Sequence, residues 1–361
     1  MFKRALIAAA VTAAVAAPVA FADVTISGYA EMDLIARTNN ATTGGNGDTA
    51  RYGVESDLMI SFDGKDKWDN GLSTIWRVSQ KPGGGIYSLG QQKWGGREAF
   101  IGVAGDSWSV KGGRVFMDQY LRHDWPYLTD GSGNVGEDYG ISGQAFWDNA
   151  VQGSITFGPA TLVASYALPS GYSSGNHSQS YEVGGGVDFG TGGHFDLSYL
   201  AIRGDDGVKT TDPTTGAITY PGQSKNPDGT DSVLFTGIRY PFGPLTLSFD
   251  YTRQKFDGAT SGAVDVHTDL YHGLIKYQFN DRLGLHVGDT EIKDSNDNKA
   301  NQFNVALHYQ LSKQTETYAR IRYLKLNDEG KVPAGLTWQN LGMASSKDNA
   351  TEFLIGTWTG F

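Results

Sequence analysis

Carboxylates crowd the one long stretch of this chain that keeps no regular period. Between Asp118 and Ala145 (DQYLRHDWPYLTDGSGNVGEDYGISGQA, 28 residues) stand Asp118, Asp124, Asp130, Glu137 and Asp138, with Arg122 and His123 among them. Acids gathered on one loop can sort ions by sign, bind a cation or supply an acid–base pair. A long irregular segment inside a regular array is usually functional or disordered, and a solvated surface loop is the plain alternative. The seven histidines (His123, His177, His194, His267, His272, His286, His308) keep no metal-ligand spacing. Residues 294–298 (DSNDN) lack the glycine and the closing glutamate of a calcium loop, and read as a polar tip. Gly83-Gly84-Gly85 has no strand–helix context for cradling phosphate. No motif marks a Ser/His/acid hydrolase. No metal, cofactor or enzymatic activity is expected, and the chemistry of the loop reads as electrostatic.

The elements that must position such a loop follow from the rest of the chain. A basic start (Met1-Phe2-Lys3-Arg4), an apolar run from Ala5 to Val19 and Ala20-Phe21-Ala22 predict a secretory signal peptide over 1–22, leaving 23–361. Two of the 29 basic residues go with it, so 27 then face 39 acidic ones and the net charge falls from −10 to −12. That balance argues against nucleic acid as a partner. Cysteine is absent, so no disulfide braces the fold. After residue 22 no apolar run approaches the ~20 residues of a membrane helix, and mean hydropathy is −0.35. Strands that alternate apolar and polar side chains would hide a membrane face from both measures.

Period 2 begins at Asp23. From Val24 to Leu34 (VTISGYAEMDL) even positions are apolar or small and odd ones mostly polar; only a strand sends such alternate residues to opposite faces. The pattern recurs at 52–62, 72–78, 161–166, 195–201, 245–251, 275–279, 283–287 and 303–309. Near 99–103, 108–116 and 183–187 glycines interrupt it and leave the facing open. Short connections stand at 63–71, 105–107, 158–159, 190–193, 241–244, 280–282 and 312–314. Long polar ones stand at 38–50, 81–96, 118–145, 168–180, 204–231, 256–266, 293–301 and 327–349. The two kinds alternate, which predicts sixteen strands with the short turns at one end and the long loops at the other.

That is the layout of an outer-membrane barrel, with short periplasmic turns and long outer loops; closure removes edges that hydrocarbon cannot solvate. Phe157, Phe189, Tyr240, Phe242, Phe279 and Tyr309 lie beside the short turns, where an aromatic girdle would sit. The expected fold is all-β: a 16-stranded antiparallel transmembrane β-barrel with long extracellular loops, short periplasmic turns and the third loop, 118–145, folded inward. Charges in mid-strand must then face the lumen, because a charge toward lipid costs ~2–4 kcal/mol at mid-membrane. On the odd face of the first two strands these are Glu31, Asp33, Arg51, Glu55 and Asp57; alternation adds Arg77, Lys111, Arg320 and Arg322. Rings of charge in a narrow aqueous passage select ions by sign.

Three segments carry a family resemblance: Arg97-Glu98-Ala99-Phe100-Ile101-Gly102-Val103 followed by Gly112-Gly113-Arg114, then Tyr309-Gln310-Leu311-Ser312-Lys313-Gln314-Thr315, then the C-terminal Phe353–Phe361. In their order and spacing, over essentially all of 23–361, the chain resembles the Gram-negative trimeric general porins. The resemblance implies a homotrimer in the cell outer membrane, in contact with outer-membrane lipid and lipopolysaccharide. It implies recognition of Phe361 by the barrel-assembly machinery, and a constriction loop whose acids face a basic wall. Arg97 stands at a wall-arginine position of that family, whereas Met59 and Asp148 occupy positions that often carry arginine there, and Tyr29 a position that is often basic. The acidic loop is then less compensated, so a mild cation preference is expected.

The function expected is a water-filled channel for passive diffusion of ions and small hydrophilic solutes. A substrate-selective porin for sugars or other small nutrients is the alternative, prompted by Trp94, Tyr120, Trp125, Tyr127, Tyr139 and Trp147 in or near the loop. Block of the current by sugar separates the two. A closed barrel acting as adhesin or receptor would not conduct, and no plug-sized N-terminal domain points to an energised transporter.

Overall fold

In a computed structural model of the chain, the described residues are 23–39, 52–81, 94–123, 126–127, 146–168, 179–203, 210–211, 218–219, 230–256, 265–334, 336, 343–344 and 346–361. The expected signal segment 1–22 lies outside them. The strands are β1 (Asp23–Arg37), β2 (Tyr52–Lys67), β3 (Ser73–Gln80), β4 (Glu98–Ala104), β5 (Trp108–Phe116), β6 (Phe146–Phe157), β7 (Ala160–Ala167), β8 (Gln179–Phe189) and β9 (Gly193–Arg203). After them come β10 (Thr210–Thr211), β11 (Ile218–Thr219), β12 (Thr230–Phe242), β13 (Leu245–Phe256), β14 (Val266–Gln278), β15 (Leu283–Asp294), β16 (Lys299–Gln310), β17 (Thr315–Leu326) and β18 (Asn349–Gly360). β10 and β11 pair only with each other, inside the connection from β9 to β12.

The other sixteen close into one antiparallel barrel, in which β1 pairs with β2 on one side and β18 on the other. Closure continues to the last residue: Gly28 and Phe361 exchange backbone N–H···O bonds at 3.0 Å. Side chains alternate as period 2 demands. On β13, Leu247 and Phe249 are 40% and 51% exposed, while Ser248, Asp250, Thr252 and Gln254 between and beyond them are buried. Val24, Ile26, Met32 and Leu34 form the exposed apolar face of β1, and Phe157, Phe189, Phe242, Phe279 and Tyr309 are exposed beside the short turns. An apolar outside and a polar inside are what a barrel in lipid requires.

Three connections differ from the sequence reading, each for a local reason. The turn expected at 63–71 is shorter, because β2 runs on to Lys67 opposite Ser73 and only residues 68–72 turn, with Gly71 at φ 89°. The long loop expected at 293–301 is a four-residue turn between Asp294 and Lys299. Asp294 folds it tightly: its carboxylate accepts the backbone N–H groups of Asn296 and Asn298 and the side-chain amide of Asn298, an Asx arrangement that replaces ladder bonds. The third is a short helix, Asp118–His123, inside the aperiodic stretch. Six residues are too few for a 3.6 period to register.

Nor is the inner face uniformly polar. Leu200, Ile202 and Val233 belong to one buried apolar cluster with Val115, Met117, Tyr120 and Trp147. Leu270, Ile292, Ala300, Leu324, Leu326 and Ala350 form another with Leu336. Each buried Leu, Ile or Val contributes about 1.5–3 kcal/mol relative to exposure, and in these two clusters the chain folds in over the wall. A third, Ile35 with Tyr318 and Leu354, lies among the wall residues of β1, β17 and β18.

Candidate functional site

The third outer connection enters the barrel at a bulge. Gly113 has φ 135°, the β5–β6 register shifts between Gly113 and Val115, and a Cβ on Gly113 would lie 2.2 Å from the Ala99 carbonyl oxygen. Only glycine tolerates that backbone so close to a neighbour. Beyond the bulge Val115 and Met117 are wholly buried, and the helix Asp118–His123 lies against β7, β8, β9 and β12. It touches Glu182, Asp196 and Thr252, all on the buried polar face, so it sits inside the barrel.

Its seat is cut to shape. Glu182 accepts the backbone N–H of Asp118 at 2.9 Å and of Gln119 at 3.0 Å, answering two donors that a helix start leaves without partners. Arg122 bonds Asp118 on its own helix and donates through Nη1 to Asp196 on β9 at 2.9 Å. Tyr127 donates to the other Asp196 oxygen at 3.0 Å. His123 lies 3.3 Å from the Thr252 hydroxyl and 3.7 Å from Asp250, which His272 holds at 2.8 Å. Burial in this seat pushes the Asp118 carboxyl above its usual range, while Arg122 pulls it back.

Glycines make the room. A Cβ on Gly184 would stand 2.6 Å from Asp118 Oδ2, one on Gly186 2.8 Å from Arg122 Nη1, and one on Gly237 2.4 Å from the Tyr127 ring. Of the glycines that broke the alternation at 183–187, Gly184 and Gly186 are therefore on the inner face, under the loop.

Halfway round the ring from β8 and β9 stand β18 and β1. Here Glu31 pairs in register with Asp57, and Asp33 with Glu55. The Tyr318 hydroxyl lies 2.7 Å from Glu31 and 2.8 Å from Asp33, over Gly356, where a Cβ would strike the Asp33 carboxylate. Asp57 meets Lys81 and the Tyr29 hydroxyl. Above this acid group Glu352 binds Arg37 at 2.7 Å, Arg320 at 2.9 Å and Arg322 at 3.3 Å. On the arc between, Arg77 bridges Asp63 and Glu98 at 2.6 and 3.0 Å. Lys111 lies over the Phe100 ring and Arg97 over the Phe116 and Phe146 rings.

Asp148 sits in the irregular part of β6, next to Asn149 with φ 53°, and its exposed carboxylate holds Arg114 at 2.7 Å. Arg51, Asp124, Asp130, Glu137 and Asp138 lie outside the described residues. Of the loop acids Asp118 alone is described, and it pairs with Arg122 of its own helix. Sequence reasoning passed over Lys81, Arg37, Glu352, Glu182, Asp196, Asp250 and Tyr318. All but Lys81 lie within strands, and the rule that sends mid-strand charges inward would have found most of them.

A family model of the Gram-negative porins matches residues 6–329. No curated protein sequence matches the chain. Among solved structures, a loop L8 deletion mutant of OmpT, an outer-membrane protein of Vibrio cholerae, superposes with a TM-score of 0.70 at 15% identity, over 94% of this chain and 99% of the other. The anion-selective porin from Comamonas acidovorans gives 0.68 at 15% identity, over 94% and 100%. In-vitro folded OmpT of Vibrio cholerae in its trimer form gives 0.66 at 16% identity, over 94% and 99%. At such identities the likeness is one of fold.

Proposed function

The chain belongs to the Gram-negative porin family, and on that premise we propose that it is a general-diffusion porin with a mild preference for cations. Family and fold make it an outer-membrane channel for small solutes. The finer reading rests on how the charges of the open wall are answered. Arg77 bridges two carboxylates, Lys81 meets Asp57, and Arg37, Arg320 and Arg322 converge on Glu352. Glu31 and Asp33 both accept the Tyr318 hydroxyl, and their register partners are Asp57, which Lys81 meets, and Glu55, so acids outnumber cations there. That pair of strands therefore holds a negative field, which attracts cations in a narrow passage. It acts over about 8 Å at physiological salt.

A homotrimer is part of the proposal, supported by the trimer form of the OmpT neighbour. One recording tests both parts. Purified protein in a planar bilayer under a KCl gradient should show a reversal potential of the cation-preferring sign and closures in steps of three. A clear anion preference would overturn the selectivity reading, and single independent steps the trimer.

A further inference from the structure

One hydrogen-bonded row of the inner face joins two covered patches. Thr252, which bonds His123 of the inward helix, pairs with Leu270, Leu270 with Ile292, Ile292 with Ala300, and Ala300 with Leu326. The row starts under the third loop and becomes apolar where that helix ends. Leucine and isoleucine facing an aqueous lumen need a cover, and the last outer connection supplies it.

Leu336 is buried among Leu270, Ile292, Leu324 and Leu326, with Val332 and Met343 packed around it. Backbone bonds fix its position. The Ala334 carbonyl accepts the Thr268 hydroxyl at 2.8 Å, and the Ala334 N–H donates to Asp294 at 3.0 Å. The Ala344 N–H donates to the Asn39 carbonyl at 2.9 Å. Thr268 and Asp294 pair with each other on the inner face of β14 and β15. The same Asp294 carboxylate that tightens the turn to β16 thus also receives the last loop.

We propose that residues 332–334 and 336, on the connection from β17 to β18, are a second inward element of the channel, anchored by Leu336, which limits conductance and solute size together with the third loop. The inference rests on the channel reading. It adds a size determinant seated, like the third loop, on apolar wall residues and a carboxylate.

The chain has no cysteine, so a paired substitution gives a clean lock. In Thr268→Cys/Ala334→Cys, oxidation should form the disulfide and leave single-channel conductance at the wild-type level, because the loop is already inside. In Leu336→Asp, conductance should rise and larger polyethylene glycols should enter the pore. A lock that fails to form, or that lowers conductance, overturns the proposal; so does a folded Leu336→Asp with wild-type conductance and size limit. If Leu336→Asp does not fold, the lock decides. A wild-type protein that does not conduct at all would instead overturn the channel reading itself.

Discussion

Two arcs of the inner wall carry the same residue types at the same alternate positions and use them differently. On β8, β9 and β13 the acids Glu182, Asp196 and Asp250 are buried under the third loop, and they meet helix N–H groups, Arg122, Tyr127 and His272. On β1 and β2 Glu31, Glu55 and Asp57 are only partly buried, Asp33 is buried, and they pair in register as Glu31–Asp57 and Asp33–Glu55. On the proposed reading the first set positions a constriction and the second gives the passage its field. What separates them is whether the chain folds back over the wall. Where it does, the acids meet groups of the inward helix and Tyr127; where it does not, they meet wall arginines and the Tyr318 hydroxyl.

The contrast predicts opposite consequences for one kind of substitution. Glu182→Ala leaves two backbone donors without an acceptor in a dry seat, at about 1–3 kcal/mol for each group left unsatisfied. Thermal unfolding should fall accordingly, and open-channel noise should grow as the helix loosens; an unchanged melting profile would remove Glu182 from the anchoring role. Glu31→Gln should do the reverse. The amide oxygen can still accept the Tyr318 hydroxyl, and a partly exposed charge is worth only about 0–1 kcal/mol to stability, so unfolding should stay where it is. The reversal potential should shift toward anions, and an unmoved potential would place Glu31 off the ion path.

The barrel itself was legible because alternation, turn spacing and strand count are properties of consecutive residues. Asp33 could be placed inward from the parity of β1 alone. The seat of the third loop was not legible. Gly184 and Gly186 read as interruptions of a strand and nothing singled out Gly237; their purpose appears only when Asp118, Arg122 and Tyr127 are brought above them. The turn at Asp294 was misread because a polar run looks the same whether it is a loop tip or an aspartate capping four residues. The resemblance implied loop acids facing a basic wall; Asp118 pairs with Arg122 of its own helix, and the other four acids lie outside the described residues. Length of polar sequence does not say who its partners are.

The central claim is that successive residues of one strand look alternately into water and into lipid around a closed, internally narrowed cylinder. Adjacent single cysteines on β1 test it most directly, with a charged, membrane-impermeant thiol reagent added during bilayer recording. At Glu31→Cys the reagent should lower the current in three discrete steps, and at Met32→Cys it should leave the current unchanged. Equal responses at the two positions would contradict the account.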